Sequence, residues 1–322
     1  MTDAGILREM PRLRALVIGD ICLDRWCHYD PALSIPSVET GIARIAVTES
    51  VSTPGAGGTI ANYLAALNVG RVSVLGVVGD DGHAFELRKA LLARGIRDDL
   101  LVEASRRLTF TYTKLINRNS HSEDLPRIDF IYEPDTKAER EVLDRLPLAI
   151  DEHDLILISD QAETETGGVV TAGVRELLAD LAPVYPDKLF LADSRRRAHL
   201  FRQVSLKPNW IEAEHASRAV FKKVDMAGLR RHTEAPVLLV TRGGSGVHVF
   251  HSAGETIVSV TRVDDPVDIC GAGDSFAAGA AAALFLTGDA VRAAEFGNKV
   301  ATVTINKPGT GTASPEEILA LS

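Results

Sequence analysis

Leu13-Arg14-Ala15-Leu16-Val17-Ile18-Gly19-Asp20 carries an apolar run that stops at a Gly-Asp pair, as a buried parallel strand should. The same unit recurs along the chain. Ile60 to Leu67 reads as helix, and Val72 to Val78 as a strand ending in Gly79-Asp80-Asp81. Ala84 to Ala93 is helical and stops at Gly95. Leu155 to Ser159 is another buried strand, followed by a helix near Val169 to Leu181. Lys188 to Ala192 is a strand ending in Asp193, and Val237 to Thr241 one ending in Arg242-Gly243-Gly244. Repeated strand–loop–helix units imply an α/β fold: a doubly wound, mostly parallel sheet with helices on both faces.

Three stretches break that rhythm. Gly41 to Val51, Leu108 to Ile116 and Arg127 to Tyr132 alternate apolar and polar residues in β fashion, and Asn117 to Ser122 is a polar turn cluster. These segments, about 34–52 and 108–133, are expected to form a small antiparallel β lid on a single domain spanning 1–322. Ligands in open α/β sheets bind outside the carboxyl ends of the strands, so a side sheet there could cover a substrate. The alternative is an ordinary hairpin on the sheet edge.

Composition narrows the class. The chain has 322 residues, 45% apolar and 25% charged, which is ordinary for a globular protein. A net charge of −9 argues against a nucleic-acid or anionic-membrane partner, because both demand a positive surface. It does not exclude an anionic substrate. The three cysteines, Cys22, Cys27 and Cys270, make no disulfide framework and fit a reducing cytosol. Cys22 and Cys27 have no second ligand pair for a metal. None of the nine histidines has metal-ligand spacing either. Residues 1–11 lack the long apolar run of a signal peptide, and Ala277 to Leu286 is too short to span a bilayer. A cytoplasmic enzyme is the expectation.

The chemistry concentrates in Asp268-Ile269-Cys270-Gly271-Ala272-Gly273-Asp274-Ser275-Phe276, which runs into an Ala-rich helix ending near Thr287-Gly288. Glycines let the backbone approach a ligand closely. A helix start leaves amides unpaired and can hold an anion. Asp274, in that first turn, can take a proton from a hydroxyl while the amides stabilise a phosphoryl group. The plain alternative is a helix cap. Other nucleotide sites are missing: no G-x-x-x-x-G-K-[ST] occurs, and Gly55-Ala56-Gly57-Gly58-Thr59-Ile60 fails the dinucleotide pattern at its last position. Nor is there a protein-kinase H-R-D or D-F-G.

The D-x-x-G-A-G-D-x-F segment resembles the C-terminal signature of the ribokinase-like (phosphofructokinase-B-type) carbohydrate kinases, and the resemblance runs from about Leu13 to Leu319. It implies an ATP-dependent sugar kinase. Asp274 would be the catalytic base, with Gly271, Ala272 and Gly273 as the anion hole. Asp24, in Gly19-Asp20-Ile21-Cys22-Leu23-Asp24, would bind sugar hydroxyls. Gly55, Gly57, Gly58 and Thr59 match the Gly-rich turn that lets the sugar approach. Asn209 and Glu212 match an N-x-x-E motif that would help hold Mg²⁺ through water. Thr241, Gly243 and Gly246 lie in the loop beside the nucleotide phosphates, and Asn298 matches the adenine-pocket asparagine. Dependence on a monovalent cation and a homodimer through the lid are left open.

Within the family the chain is most similar to bacterial heptose-7-phosphate kinases, the kinase half of ADP-heptose synthase. Gly19 to Trp26, Thr111 to Lys114, Leu125 to Phe130 and Lys307 to Glu317 carry that likeness. It implies phosphorylation of the anomeric hydroxyl of a heptose 7-phosphate. The adenylyltransferase half is not expected, since the chain stops at Ser322. A phosphorylated sugar needs a cationic clamp, for which Lys114, Arg127 and Arg195 to Arg197 are candidates; Arg196 and Arg197 read rather as solvated surface charges. Three segments depart from the subgroup. Thr59 replaces an asparagine that binds sugar. Ser159 to Thr164 lacks a lysine and a glycine, and Asp193 to Arg197 replaces a proline–lysine–glycine run. The alternatives are a kinase of another sugar or of a nucleoside, and a silent sugar- or nucleotide-sensing protein.

Overall fold

The computed structural model describes residues 1–105, 107–132, 135–164 and 168–321. Glu133, at the end of the expected lid, and Ser322 lie outside them. The main sheet has eight strands among the described residues. In spatial order they are Gly254–Val258, Val247–His251, Leu238–Thr241, Ser205–Leu206, Leu189–Ser194, Leu155–Asp160, Arg14–Gly19 and Arg71–Leu75. Every pairing is parallel except those of Val247–His251 with its two neighbours. Leu155–Asp160, near the middle, is buried at all six positions, which explains the apolar run Leu155 to Ile158 before Ser159 and Asp160.

Side-chain alternation divides the core between the two faces of the sheet. Ala15 and Val17 belong to one cluster, with Tyr63 and Leu64 of the helix Gly57–Ala66 and much of the helices Ala272–Thr287 and Ala290–Thr304. Leu16 and Ile18 belong to the other, with Val142 and Leu146 of Thr136–Asp151, Val174 and Leu178 of Ala172–Leu181, and Ala213 and Ala216 of Trp210–Phe221. The doubly wound α/β arrangement read from the sequence is therefore present.

The strand expected over Val72 to Val78 is two strands. It breaks at Gly76, and Val77–Gly79 leaves the main sheet to pair with Val102–Ala104. The lid also differs from expectation. Its strand order is Val47–Ala56, Ile21–Tyr29, Thr111–Asn117 and Ile128–Phe130. Its outer pairings are antiparallel, but Ile21–Tyr29 and Thr111–Asn117 run parallel. Ile21–Tyr29 is the strand that sequence patterning missed: it follows Arg14–Gly19 after a single residue, Asp20, so no turn signal separates the two. Residues 34–46 contribute only an isolated bridge, Pro36 to Ala43.

Candidate active site

Acidic and basic side chains gather at the carboxyl ends of the main strands, where the sheet opens toward the lid. Gly271 caps the helix Ala272–Thr287 in the left-handed conformation, at φ 78°. A side chain there would be strained, and its Cβ would fall 2.4 Å from the Tyr63 hydroxyl. Ala272 N donates to Ile269 O at 3.2 Å and Ser275 N to Gly271 O at 2.9 Å. The amides of Gly271, Gly273 and Asp274 have no acceptor among the described residues. The open donors are thus Gly271, Gly273 and Asp274, while Ala272 closes the turn.

Asp274 is half-buried in that turn. Burial, then the charge of Asp193, pushes its carboxyl up to about 7 against the pull of Lys207 and Arg195, with Asp24 adding a smaller push. Lys207 is buried directly after the strand Ser205–Leu206. Its Nζ is 2.7 Å from Asp193 Oδ2 and 3.4 Å from Gly273 O. Burial opposes its charge, but Asp193, Glu212 and Asp274 outweigh that and raise its pKa. Sequence patterning named neither Lys207 nor Asp193 as a site residue. The available signal was a charged residue at the carboxyl end of a buried strand.

Asn209 and Glu212 form a capping box at the start of Trp210–Phe221. Asn209 N donates to Glu212 Oε2 at 2.7 Å, and Glu212 N donates to Asn209 Oδ1 at 3.0 Å. Burial and the nearby Asp193 raise the Glu212 pKa, with Lys207 opposing. Among the described residues no group of three or more His, Cys, Asp or Glu stands ready to grip a metal directly.

On the lid, Asp24 pairs in register with Tyr112, and Trp26 with Lys114. Strand alternation therefore turns Asp24, Trp26, Tyr112 and Lys114 toward one face. Burial raises the Asp24 carboxyl to about 6, against Lys114, Arg127, the Cys22 thiol 3.9 Å away and Arg195. Gly55 packs on Asp24 so closely that a Cβ would fall 2.4 Å from Oδ1. Gly57 and Gly58 begin the helix Gly57–Ala66, and Gly57 N donates to Asp20 O at 2.9 Å. Thr59 is buried, and its hydroxyl donates to Pro54 O at 3.2 Å. The proton of this hydroxyl thus holds the turn together. Lys114 Nζ lies 4.2 Å from the centre of the Trp26 ring. The Arg127 guanidinium stacks 4.4 Å from the Tyr112 ring centre and pairs with both Asp129 oxygens, at 2.6 and 2.7 Å.

The arginine run 195–197 divides by role. Arg195 is exposed; its Nε donates to Gln161 at 2.8 Å and its NH1 to Glu163 at 2.7 Å. Arg197 is not the solvated charge expected: it is buried and bonded to Asp160 at 2.6 Å, with Ser194 Oγ also donating to Asp160 at 2.6 Å. Asp160 is thereby consumed by the fold. Buried Asp20 accepts the amides of Gln161, Ala162 and Val169 at 2.8 to 2.9 Å and so anchors the same loop.

At the other end, Thr241 closes its strand, and Gly243 and Gly246 form a turn with φ of 51° and 82°. Arg242 stacks 4.7 Å from the Trp210 ring centre. Asn298 lines a cavity of about 430 Å³ with Ser259, Val260, Thr261, Val263 and Thr302. The buried Asn298 Nδ2 has no partner among the described residues. An unpaired amide donor in a cavity that Val260 and Val263 share with Arg292, Glu295 and Lys299 offers a heteroaromatic base a hydrogen bond beside some apolar contact.

No helix among the described residues is long and apolar enough to cross a membrane.

Comparison with known proteins agrees with this geometry. Residues 15–317 match the family described as pfkB family carbohydrate kinase. The chain is 31% identical over 322 residues to "Bifunctional protein HldE" of Geotalea uraniireducens (strain Rf4), covering 96% of this chain and 62% of that protein. It is 31% identical over 324 residues to the protein of the same name from Geobacter sulfurreducens (strain ATCC 51573 / DSM 12127 / PCA), covering 95% and 62%. The chain thus spans less than two thirds of the length of these relatives. Among solved structures, phosphofructokinase-2 from Escherichia coli in complex with potassium superposes with a TM-score of 0.73 at 18% identity, covering 96% and 97%. Arabidopsis thaliana ribokinase complexed with ribose and ATP does so with 0.69 at 16% identity, covering 96% and 98%. These two likenesses concern the fold. With a family match over most of its length, this chain belongs to the pfkB family of carbohydrate kinases and is an ATP-dependent enzyme.

Proposed function

We propose that the enzyme transfers the γ-phosphoryl group of ATP to the anomeric hydroxyl of a heptose 7-phosphate, with Asp274 as general base. The observation that carries the substrate assignment is cationic: Lys114, Arg127 and Arg195 all favour the charged form of Asp24, with Lys114 seated on the Trp26 ring while Arg127 and Arg195 also pair with Asp129 and Glu163. A neutral sugar needs the acid but not three cations. A sugar carrying a phosphate uses both, the acid for its hydroxyls and the cations for its dianion. The similarity to the HldE proteins supports the same choice.

In this reading the acceptor hydroxyl lies between Asp24 and Asp274. Its proton passes to Asp274, whose pKa near 7 suits a base at neutral pH. The open amides of Gly271, Gly273 and Asp274 receive the phosphoryl oxygens. Asn298 holds the base of the nucleotide, and the turn Gly243–Gly246 lies along its phosphates. The surplus of carboxylates around Lys207 fits a hydrated Mg²⁺ ion. One Glu212 oxygen and Asn209 Oδ1 are already in the capping box, so they suit contact through water. That ion would neutralise charge on the phosphates.

Thr59 favours one rival reading, a different phosphorylated sugar. It stands where the resemblance places a sugar-binding asparagine, and its hydroxyl donates to Pro54 O. ADP release measured with ATP, Mg²⁺ and a panel of sugars, sugar phosphates and nucleosides tests the proposal. Turnover is expected only with acceptors that carry a phosphate. A preference for a neutral sugar or for adenosine rules the assignment out, and no ADP release with any acceptor favours a sensor.

A further inference from the structure

Tyr63 projects from the helix Gly57–Ala66, the helix that rises out of the Gly-rich sugar turn. Its side chain is 1% exposed, and its ring lies within the apolar cluster formed with the helices Ala272–Thr287 and Ala290–Thr304. Its hydroxyl has no hydrogen-bond partner among the described residues. A buried hydroxyl without a partner costs about 1–3 kcal/mol, so the fold gains nothing from it as it stands. The hydroxyl lies close to the segment from Asp268 to Asp274, where Asp274, Cys270 and Asp268 all act on it. It stands 2.4 Å from where a Gly271 Cβ would be, against the turn whose amides at Gly271, Gly273 and Asp274 are open. The glycine at 271 is thus required twice, for its φ of 78° and for the space the tyrosine fills.

We infer that the Tyr63 hydroxyl is a further catalytic donor, giving its hydrogen bond to an oxygen of the phosphoryl group as that group crosses the Gly271 turn. This rests on the assignment of the turn as the phosphoryl site under Proposed function. In the transfer, the acceptor oxygen forms a bond to the γ-phosphorus while the bond to the bridging oxygen breaks. ADP leaves with that electron pair, and the acceptor proton goes to Asp274. Tyr63 keeps its own proton throughout. Burial and the charges of Asp274, Cys270 and Asp268 hold its pKa well above the ordinary tyrosine value, so it is a donor at any working pH. An apolar surround makes such a donor stronger than one in water.

Tyr63→Phe removes the oxygen and keeps the ring, and three measurements on it decide the matter. First, kcat is expected to fall by about tenfold to a hundredfold, below the cost of losing a whole oxyanion donor, with the acceptor KM changed less than about twofold. Second, in sugar-free solution with Mg²⁺, ADP is expected to bind as before, while ADP with aluminium fluoride, which mimics the phosphoryl in flight, binds weaker by a similar factor. Third, the melting temperature without ligand is expected to stay level or rise, because an unsatisfied group has been deleted. A kcat within twofold of wild type overturns the inference. So does a loss confined to acceptor KM, which assigns the hydroxyl to the sugar, and so does a clear fall in melting temperature, which assigns it to the fold. The second measurement needs no acceptor, so a wrong sugar assignment leaves it readable. Asp274→Asn run in parallel reports separately on the base.

Discussion

Lys207 Nζ lies 2.7 Å from Asp193 Oδ2, and this buried pair is the electrostatic centre of the site. The same ammonium contacts Gly273 O and lowers the pKa values of both Asp274 and Glu212. One cation therefore restrains three acids. Replacing it by Met leaves Asp193 buried and unpaired, which typically costs about 3–5 kcal/mol. Lys207→Met is expected to melt well below wild type. Its acid limb of activity should move above that of wild type, because Asp274 loses its main opposing charge. An unchanged pH profile in a folded variant argues that Lys207 does not tune Asp274.

Asp274→Asn separates chemistry from binding. Turnover is expected to fall at least about a hundredfold, the low end of a general base's contribution, while ADP still binds by calorimetry. Stability should move the other way. The Asp274 pKa is raised on folding, so the folded state holds this proton more tightly than the unfolded chain does. That contribution is fully present below the ordinary Asp value and is lost as pH rises through about 7. The amide escapes the loss, so the variant should melt higher than wild type at pH 8, by less at pH 5, and nearly equal to it only below about pH 3.8. Near-normal turnover would remove Asp274 from the mechanism.

The pH profile of the wild-type enzyme follows from two raised carboxyls. Asp274 near 7 and Asp24 near 6 must both be ionised in the free enzyme. A plot of log kcat/KM against pH is expected to be flat above about 7, to fall with unit slope below it and to steepen toward two below about 6. A single acid limb near 4 contradicts both assignments.

Gly55→Ala tests the fit of Asp24. The new Cβ would fall 2.4 Å from Oδ1, so the carboxyl must move. We expect kcat/KM for the acceptor to drop by about tenfold to a hundredfold, as misplaced contacts do, with nucleotide affinity unchanged. A normal acceptor kcat/KM means that Asp24 does not hold the sugar.

Lys114→Ala and Arg195→Ala address the phosphate. Each removes a cation that favours the ionised form of Asp24. A charge-assisted hydrogen bond contributes about 1.5–3 kcal/mol, so a phosphorylated acceptor should bind about tenfold to a hundredfold more weakly, and a neutral sugar nearly as before. Equal losses for both acceptors, measured as KM or by calorimetry, exclude a clamp.

The local pattern of the chain determined the central parallel strands Arg14–Gly19, Arg71–Leu75, Leu155–Asp160, Leu189–Ser194 and Leu238–Thr241 and the turn that carries Asp274. It did not determine the short strand Ser205–Leu206, the antiparallel edge Val247–His251 with Gly254–Val258, or the helix Thr136–Asp151. Apolar runs ending in Gly and Asp report burial on both faces, and a Gly-rich segment before a helix reports an anion-binding turn; both are short-range properties. Tertiary structure alone decided how charged residues far apart in sequence share one space. Lys207 meets Asp193 and Asp274, Arg197 turns inward to Asp160, and the Tyr63 hydroxyl arrives at Gly271 from a helix more than two hundred residues earlier. Nothing in the immediate neighbours of these residues distinguishes a buried cation from a surface one. Whether a charge is solvated, paired or left facing a ligand depends on which strand ends the sheet order brings side by side, and that order is set by long-range packing.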